Sequence, residues 1–488
     1  MKARDAASRL AMLTAMLALA GCASFSGIDP QAALRAPEAV GLATGTGEPF
    51  APAPEWWREF GDPQLDRLVG EALAGNPGLR LAQARLARAQ ALTEAAGAAR
   101  LPQVNGSLDL TRQRYTEHGA VPPPLAGSIR DSGTLQLAAS WELDFFGRNQ
   151  AALQAALGGA RAARAEAEAA RVLLAANVAR AYLQLARTND QLAVARRTLA
   201  QREESLGLVR DRVRAGLDTQ LELRQSEGAL PDARQQIEAL REQAALAQHA
   251  LAALAGAGNR EVVQQPPSLQ AMTAAAVPAQ LPADLLGQRA DIVAARWRVE
   301  AAAQDVRSAK AQFYPNVNLV GLVGLSAIGL GRLLDSGSGQ WAVGPAVRLP
   351  LFDAGRLRAN LRGRTADLDA AVESYNGAVL EAIRDAADQV ASAQSIARQQ
   401  SEQRDAQAAA EAAYALARQR YQAGLGSYLH VLSAETAVLA QRRLAVDLAA
   451  RALDTRVALL RALGGGAHTE SIAEGPDRRD PTLSKATP

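Results

Sequence analysis

The sequence predicts a mainly α-helical protein that is internally duplicated and also carries membrane β-strands. Two proline-free stretches, 149–214 and 357–422, are each bracketed by glycines at matching positions, which indicates two uninterrupted helices. At a rise of 1.5 Å per residue, each helix would be about 100 Å long, far longer than a compact domain needs. Hydrophobic residues make up 48% of the chain but are largely alanine, and only 4% of the residues are aromatic. This composition favours bundled helices over a large globular core.

The first residues have the features of a secretory signal peptide. Lys2, Arg4 and Arg9 form a basic leader, and the apolar stretch 10–20 that follows is too short to span a bilayer. We therefore predict a signal peptide over residues 1–21.

The single cysteine of the sequence, Cys22, follows this segment in the sequence Leu-Ala-Gly-Cys. This sequence resembles the lipobox of bacterial lipoproteins, in which the cysteine is acylated and becomes the first residue of the mature chain. The next residue is alanine and not aspartate, which by the same resemblance favours the outer membrane. We therefore expect an acylated Cys22 that attaches a Gly-rich and Pro-rich tail, residues 22–61, to lipid of the outer membrane.

Charge and histidine placement argue against nucleic-acid binding, metal binding and catalysis. The formal net charge is only +3, and arginine is interleaved with glutamate and aspartate, as on solvated helix faces. No nucleophile motif or phosphate-loop motif is present in the sequence. The histidines have no ligand or general-base spacing, being His118, His249, His430 and His468. We expect no nucleic-acid partner, no cofactor, no bound metal and no enzymatic activity.

Regular structure is predicted to begin at Asp62, an N-cap before Pro63, and again at Asn76 before Pro77. Strict alternation of apolar and polar residues then predicts a pair of strands, and a second pair occurs later in the chain. A strand of about 9–11 residues has the length that a tilted crossing of a bilayer requires. No segment after residue 22 has 18 consecutive apolar residues. The predicted strands are 103–111, 134–143, 315–325 and 341–351.

A long helix follows each strand pair, and a shorter helix returns from it. A row of apolar residues with a seven-residue spacing predicts a partner helix along the first long helix. This row consists of Val178, Leu185, Leu192, Leu199, Leu206 and Val213. The Ala-Gly-Leu sequence at 215–217 ends the helix, and we expect a kink at Pro231 in the returning one. The predicted helix hairpins span 149–255 and 357–463.

The whole arrangement occurs twice. Residues 76–104 align with 289–317 at an offset of 213, whereas from Gly147 and Gly355 onward the offset is 208. The change in offset falls inside the two strands and the loop that joins them. An insertion in such a loop costs little stability. We therefore predict a first repeat over 62–258, a linker over 259–281, a second repeat over 282–463 and a flexible tail over 464–488.

Four strands are too few to form a closed barrel. An open sheet cannot lie in lipid, because its edges would leave backbone groups unpaired. Other copies of the chain must therefore complete the barrel. Two copies would supply eight strands and an interior filled by side chains, and three would supply twelve and an opening. The residues alone leave both possibilities open.

Three motifs resemble those of TolC-like outer-membrane factors of tripartite efflux pumps, in particular the lipoprotein branch of the OprM and NodT type. Residues 141–148, Trp-Glu-Leu-Asp-Phe-Phe-Gly-Arg, resemble the family's signature where a strand leads into a long helix. Residues 212–217 and 420–425 resemble its two helix-hairpin tips. The resemblance covers essentially the whole mature chain. It places strand-to-helix junctions at Gly147, Arg148, Gly355 and Arg356.

The resemblance implies a homotrimer in the outer membrane. Its three chains would form a twelve-stranded barrel continuous with a twelve-helix tunnel through the periplasm. Such proteins are passive exit ducts for drugs and other small amphiphiles. They bind a periplasmic adaptor, or membrane fusion protein, and an inner-membrane transporter of the resistance-nodulation-division (RND) class supplies the energy.

The resemblance also assigns roles to residues at the hairpin tips. The expected adaptor contacts are Gly216, Leu217, Gly424 and Leu425. The glycines have a second role in any case, since glycine commonly ends a helix in a left-handed conformation.

The family's tunnel constriction corresponds to a segment just after the second tip. Leu429 matches a constricting leucine, which could equally be an ordinary packing residue of a coiled helix pair. Ser433 stands where the family has a gating aspartate, and Thr436 stands where it has a gating arginine. We therefore expect a closed state that lacks the charged ring of such relatives.

Two other functions remain open at this stage. The chain could be the outer-membrane channel of type I protein secretion, although the lipobox and the motif at 141–148 favour the efflux branch. It could also be a periplasmic coiled-coil lipoprotein without a pore, although such a protein has no need of two symmetrically placed strand pairs.

Overall fold

The computed structural model describes residues 24–35, 52–258, 260–273 and 289–467. The predicted signal peptide, Cys22, residues 259 and 274–281 of the predicted linker and most of the predicted tail lie outside the described residues. The chain divides into two units. Unit 1 consists of Met1–Leu34, Arg85–Ala163 and Ala295–Asn376, and unit 2 consists of Arg35–Ala84, Arg164–Ala294 and Gly377–Pro488. Each unit contains segments of both predicted repeats.

The elements occur in the same order twice along the chain. Each half has a helix, two strands, a long helix and a shorter returning helix, and the first half begins with one further helix. The helices are α1 (Pro63–Gly75), α2 (Pro77–Ala98), α3 (Arg148–Arg214), α4 (Gln220–Leu254), α5 (Ala290–Ala311), α6 (Arg356–Gln422) and α7 (Tyr428–Ala462). The strands are β1 (Gln103–Arg114), β2 (Ile129–Glu142), β3 (Asn316–Ile328) and β4 (Gly339–Arg348). None of the helices within the described residues is long and apolar enough to cross a membrane.

The strand ends differ from those that polarity alone predicts. β1 extends beyond its predicted end at 111, and β2 starts before its predicted start at 134. In the ladder between them, Arg112 pairs with Asp131 and Arg114 pairs with Ile129. These charged residues interrupt the apolar alternation while the backbone pairing continues. β4 ends at Arg348, and not near 351, two residues before Pro350. Arg348 lies opposite Asn316, the first residue of β3, so the pairing of the two strands ends there.

The two long helices are equal in length. Both α3 and α6 have 67 residues, and both α4 and α7 have 35. Helix α4 continues through Pro231. The apolar row on α3 is buried at Val178, Leu185, Leu192 and Leu206, with exposures between 0 and 8%. The row therefore forms a packing surface, as its spacing predicts.

In unit 1, the four strands form one antiparallel sheet in the order β1-β2-β3-β4. The register places most of the large apolar residues of the four strands on one face, since Leu108 lies opposite Leu135 and Leu135 lies opposite Leu325. Several members of this apolar face are 38–79% exposed in the single chain, namely Val104, Leu108, Leu137, Trp141, Val323, Trp341, Val343 and Val347. The opposite face is the more polar, with residues such as Asp109, Thr134, Asn316 and Arg348. Strands that contact lipid have one apolar face of this kind.

The segment after the predicted lipidation site is bound to the helices of unit 1. Ile28 is 6% exposed and packs in a cluster with Phe313 and Leu361. One carboxylate oxygen of Asp369 accepts the backbone N–H groups of Gln31 and Ala32, both at 2.9 Å. The chain is therefore held along this segment by both apolar and polar contacts.

In unit 2, the main core lies around a short 3-10 helix, Trp56–Phe60, which precedes α1. Phe60 and Tyr182 are both fully buried. The Tyr182 hydroxyl donates to Asp62 at 2.7 Å, and Asp62 caps α1 by accepting the N–H of Gln64 at 2.9 Å. The buried cluster also includes residues of α3, α4 and α7, so that both hairpins pack on this short helix.

Candidate functional site at the helix-hairpin tips

The two hairpin tips of unit 2 end their long helices in the same way. Gly216 has φ of 72° and Gly424 has φ of 74°, which is the left-handed conformation that glycine adopts most easily. At the first tip, the N–H groups of Gly216 and Leu217 donate to the carbonyls of Val213 and Arg212 at 3.0 and 2.9 Å. The second tip repeats this pattern at Gly424 and Leu425, with distances of 3.0 and 2.8 Å. Each tip is therefore a Schellman motif, which satisfies the last carbonyls of the helix.

A leucine stands exposed at each tip. Leu217 is 66% exposed and Leu425 is 70% exposed, although a leucine at this position of a Schellman motif often packs back on its helix. The next helices begin with further exposed leucines, Leu221 and Leu429, each 63% exposed. The tips thus present apolar side chains next to helix ends that are closed by backbone hydrogen bonds.

A polar network supports the first tip and links it to the second hairpin. Arg212 donates two hydrogen bonds to Asp218, at 3.0 and 3.3 Å, and the Tyr421 hydroxyl donates to the same carboxylate. The Arg212 guanidinium lies over the ring of Tyr421, 4.6 Å from its centroid. Tyr421 is only 2% exposed. The network therefore holds the two hairpins together just behind the exposed leucines.

The network keeps Asp218 ionised. Burial raises the pKa of the Asp218 carboxyl, but hydrogen bonds from Arg212 and Tyr421 outweigh burial, so that the pKa lies below its ordinary value of 3.8. Because the folded-state pKa is lowered, the stabilising contribution is present at neutral pH. It is lost only as the pH falls through this lowered value.

The two tips differ in charge. At the offset of 208, Asp218 corresponds to Gly426 and Thr219 corresponds to Ser427. Thr219 caps α4 in a capping box with Glu222, whereas the side chain of Ser427 makes no capping hydrogen bond with α7. The first tip therefore has both a capping box and an acidic residue, and the second tip has neither.

The predicted constriction residues lie on one exposed face of α7. Leu429, Ser433 and Thr436 are all exposed in the single chain, and their spacing of four and three residues places them on one side of the helix. The Thr436 hydroxyl donates to the carbonyl of Leu432 at 2.9 Å, within its own helix. Val431 and Val438, on the opposite side, are buried. The face that carries Ser433 and Thr436 has no charge at those two positions.

Sequence reasoning missed a buried glutamate on the other side of the same helix. Glu435 is 7% exposed, and Arg202 of α3 lies 3.4 Å from its carboxylate. Burial raises the pKa of Glu435, and the Arg202 charge offsets this only in part. The same arginine donates to the carbonyl of Ala229 on α4 at 2.8 Å. Arg202 therefore links α3 to Glu435 of α7 and to α4 near the tips, and no local sequence pattern marks this contact.

The predicted strand-to-helix junctions lie in unit 1. Gly147 and Gly355 have φ of 72° and 85° and come directly before α3 and α6, which begin at Arg148 and Arg356. The first helix is capped by Asp144, which accepts the N–H of Gln150 at 2.7 Å. At the second junction Asp353 accepts the N–H of Leu357 at 2.9 Å. Both aspartates thus satisfy backbone groups at a helix N-terminus.

Within the part of the chain that the structure describes, no group of three or more His, Cys, Asp or Glu side chains could hold a metal ion. The candidate site at the tips consists of exposed leucines, helix ends and ion pairs.

Comparison with known proteins identifies the family. The chain belongs to the outer membrane efflux protein family, whose model matches residues 68–257 and 281–465. It is 41% identical over 365 residues to the fusaric acid resistance protein FusA of Burkholderia cepacia, covering 72% of this chain and 68% of FusA. It is 31% identical over 473 residues to the multidrug resistance outer membrane protein MdtQ of Escherichia coli O157:H7, covering 94% of this chain and 98% of MdtQ.

Solved structures have the same fold. The outer membrane protein VceC of Vibrio cholerae is 38% identical, with a TM-score of 0.80 that covers 85% of this chain and 99% of VceC. The MtrE outer membrane channel of Neisseria gonorrhoeae is 27% identical, with a TM-score of 0.77 over 90% of this chain and 98% of MtrE. The protein is therefore an outer-membrane efflux channel with the mostly helical, internally repeated TolC-like fold, as the sequence predicts.

Proposed function

We propose that the protein is the passive exit duct of a tripartite efflux pump for drugs and small amphiphiles. A homotrimer forms the duct, a periplasmic adaptor binds it, and an inner-membrane RND transporter supplies the energy. The observation that carries the proposal is the sheet of unit 1, which has one apolar face and edge strands, β1 and β4, at both sides. Three copies of four strands suffice for a barrel with an opening.

The structure of the tips supports their role as the adaptor contacts. Gly216 and Gly424 end the helices, and Leu217 and Leu425 project as exposed apolar side chains. Exposed apolar residues on a rigid scaffold are typical of protein interfaces. The names of the relatives, multidrug resistance and fusaric acid resistance, support small-molecule cargo over protein cargo.

We also propose that acylated Cys22 attaches the chain to lipid of the outer membrane. The contacts of Asp369 with Gln31 and Ala32 support this role, because they fix the chain soon after the cysteine.

Deleting the gene tests the exit-duct function. We expect the deletion strain to accumulate a fluorescent cationic dye several-fold above the parent strain, and reintroduction of the gene to restore export. Secretion of proteins into the medium should not change, because the proposed RND transporter delivers small molecules and not proteins to the duct. Loss of protein secretion without dye accumulation would favour a type I secretion channel. Purification of a soluble monomer after removal of the lipid would favour a periplasmic strut.

The uncharged face at Ser433 and Thr436 leads to a prediction about closure. We propose that Leu429, Ser433 and Thr436 line the constriction, which then closes by packing and not by ion pairs. Ser433→Asp with Thr436→Arg should lower the closed-channel conductance by roughly 1.4- to fivefold, since an exposed ion pair contributes about 0.2–1 kcal/mol. Single-channel recording in planar bilayers measures this change, and Ser433→Asn with Thr436→Gln is the uncharged control. An equal drop in closed-channel conductance in both double variants would show that charge has no part in closure.

A further inference from the structure

A cavity lies in unit 1 where the two strand-to-helix junctions meet. It has a volume of about 330 Å³ and is lined by residues from both halves of the chain, including Glu142 and Arg148 of the first junction and Arg348 and Arg356 of the second. The end of α5 and the start of β3 complete its wall.

The cavity belongs to the polar face of the sheet. Arg348 pairs directly with Asn316, and Glu142 pairs with Asn318, so that these side chains lie on the same face. Trp141 and Val347, the neighbours of Glu142 and Arg348 along their strands, lie on the apolar face. In a membrane barrel the apolar face contacts lipid and the polar face lines the interior. The cavity is therefore on the side of the passage.

Three arginines but only two acidic residues, Glu142 and Asp144, line the cavity, which therefore has an excess of positive charge. Arg148 forms an ion pair with Glu142, and Asp144 is already bonded to the backbone N–H of Gln150 at 2.7 Å. Arg348 and Arg356 form no ion pair with any residue that the structure describes. Two guanidinium groups with free donors therefore face one cavity, and each can bind a carboxylate or sulfonate with two parallel hydrogen bonds.

The same cavity has an aromatic wall. Phe146 and Tyr314 both line it, and their rings stack with centroids 4.8 Å apart and planes inclined by 9°. Both side chains keep more than 40% of their surface exposed. An aromatic or otherwise apolar body can therefore pack on these rings while an anionic group contacts the arginines.

We propose that this cavity binds organic anions with an aromatic or apolar body. Arg348 and Arg356 hold the anionic group, and the pair Phe146 and Tyr314 contacts the body. Binding itself needs only this chain, whereas a role in export rests on the exit-duct function. In that duct the cavity would concentrate anionic amphiphiles where the strands meet the helices.

The test measures binding to the full-length protein in lipid nanodiscs by equilibrium dialysis. The probes are 2-naphthoate and its neutral analogue 2-naphthamide, which share one ring system. Arg348→Gln with Arg356→Gln should weaken naphthoate binding about tenfold or more, because the double variant loses the charged hydrogen bonds to the carboxylate. Naphthamide binding should not change. The matched control is Arg332→Gln with Arg362→Gln, which removes two exposed arginines of unit 1 outside the cavity.

Two results would overturn the proposal. One is equal affinity for naphthoate and naphthamide in the parent protein. The other is an equal loss of naphthoate binding in the cavity variant and in the control variant, which would indicate a general charge effect. Tyr314→Ala should weaken both probes, since it removes the aromatic wall. The dye-export experiment tests the exit-duct function and not this binding. If the protein does not export dye, the binding test still decides whether the cavity binds organic anions.

Discussion

Replacing Leu217 and Leu425 together by glutamate is expected to abolish export while the channel still assembles. The two leucines are 66% and 70% exposed, so the unbound protein loses little packing when they change. The backbone at Gly216 and Gly424 is untouched, and the helix ends should persist. In a complex, however, each new carboxylate would be buried against an apolar partner surface. Burying an unpaired charge costs several kcal/mol.

The measurement is the drug resistance of a deletion strain that carries each variant, together with the amount of trimer in its outer membrane. We expect the double variant to be as sensitive as the deletion strain, with an unchanged amount of trimer. Leu246→Glu is the matched control, since this leucine on α4 is 59% exposed but far along the chain from the tip. Full resistance of the tip variant would show that the tips are not the docking surface.

Phe60→Ala is expected to cause the largest loss of stability. Phe60 is fully buried, and its ring lies 6.4 Å from that of Trp56 in an edge-on arrangement. Truncation of a buried phenylalanine removes apolar contacts and leaves a cavity, which costs about 3–5 kcal/mol. The loss should be large here, because the core around Phe60 joins segments of both helix hairpins.

Urea unfolding followed by tryptophan fluorescence measures this loss, since Trp56 and Trp57 adjoin the changed side chain. We expect the unfolding midpoint of Phe60→Ala to fall well below that of the parent protein. Leu81→Ala, at a position of unit 2 that is 54% exposed, should leave the midpoint nearly unchanged. Equal midpoints for the two variants would mean that this core is not what limits unfolding.

Regular patterns in the sequence predict much of the fold. The seven-residue spacing from Val178 to Val213 identifies the buried side of α3, and the glycines at 216 and 424 identify both helix ends. Period-two alternation identifies the strands and the apolar face of the sheet. These features repeat at short range, and the physical rule that links pattern and structure is local.

The polar parts of the site could not be predicted in the same way. Tyr421 and Asp218 are 203 residues apart, and only the packed hairpins bring them together. Glu435 looks like any acid of a solvated helix in the sequence, but the neighbouring helices bury it beside Arg202. Whether Arg348 and Arg356 have an ion-pair partner among the described residues depends on which acids are already paired, and a sequence does not show this.

The two tips have the same backbone but different chemistry, since the first carries Asp218 where the second has Gly426. A trimer would then display six leucine tips of two alternating kinds, so that its rotational symmetry is threefold and only approximately sixfold. A partner that binds all six tips with identical subunits must accept two unequal environments. Alternatively, it can use the tips that carry Asp218 to choose three of the six and so fix its own rotation about the axis.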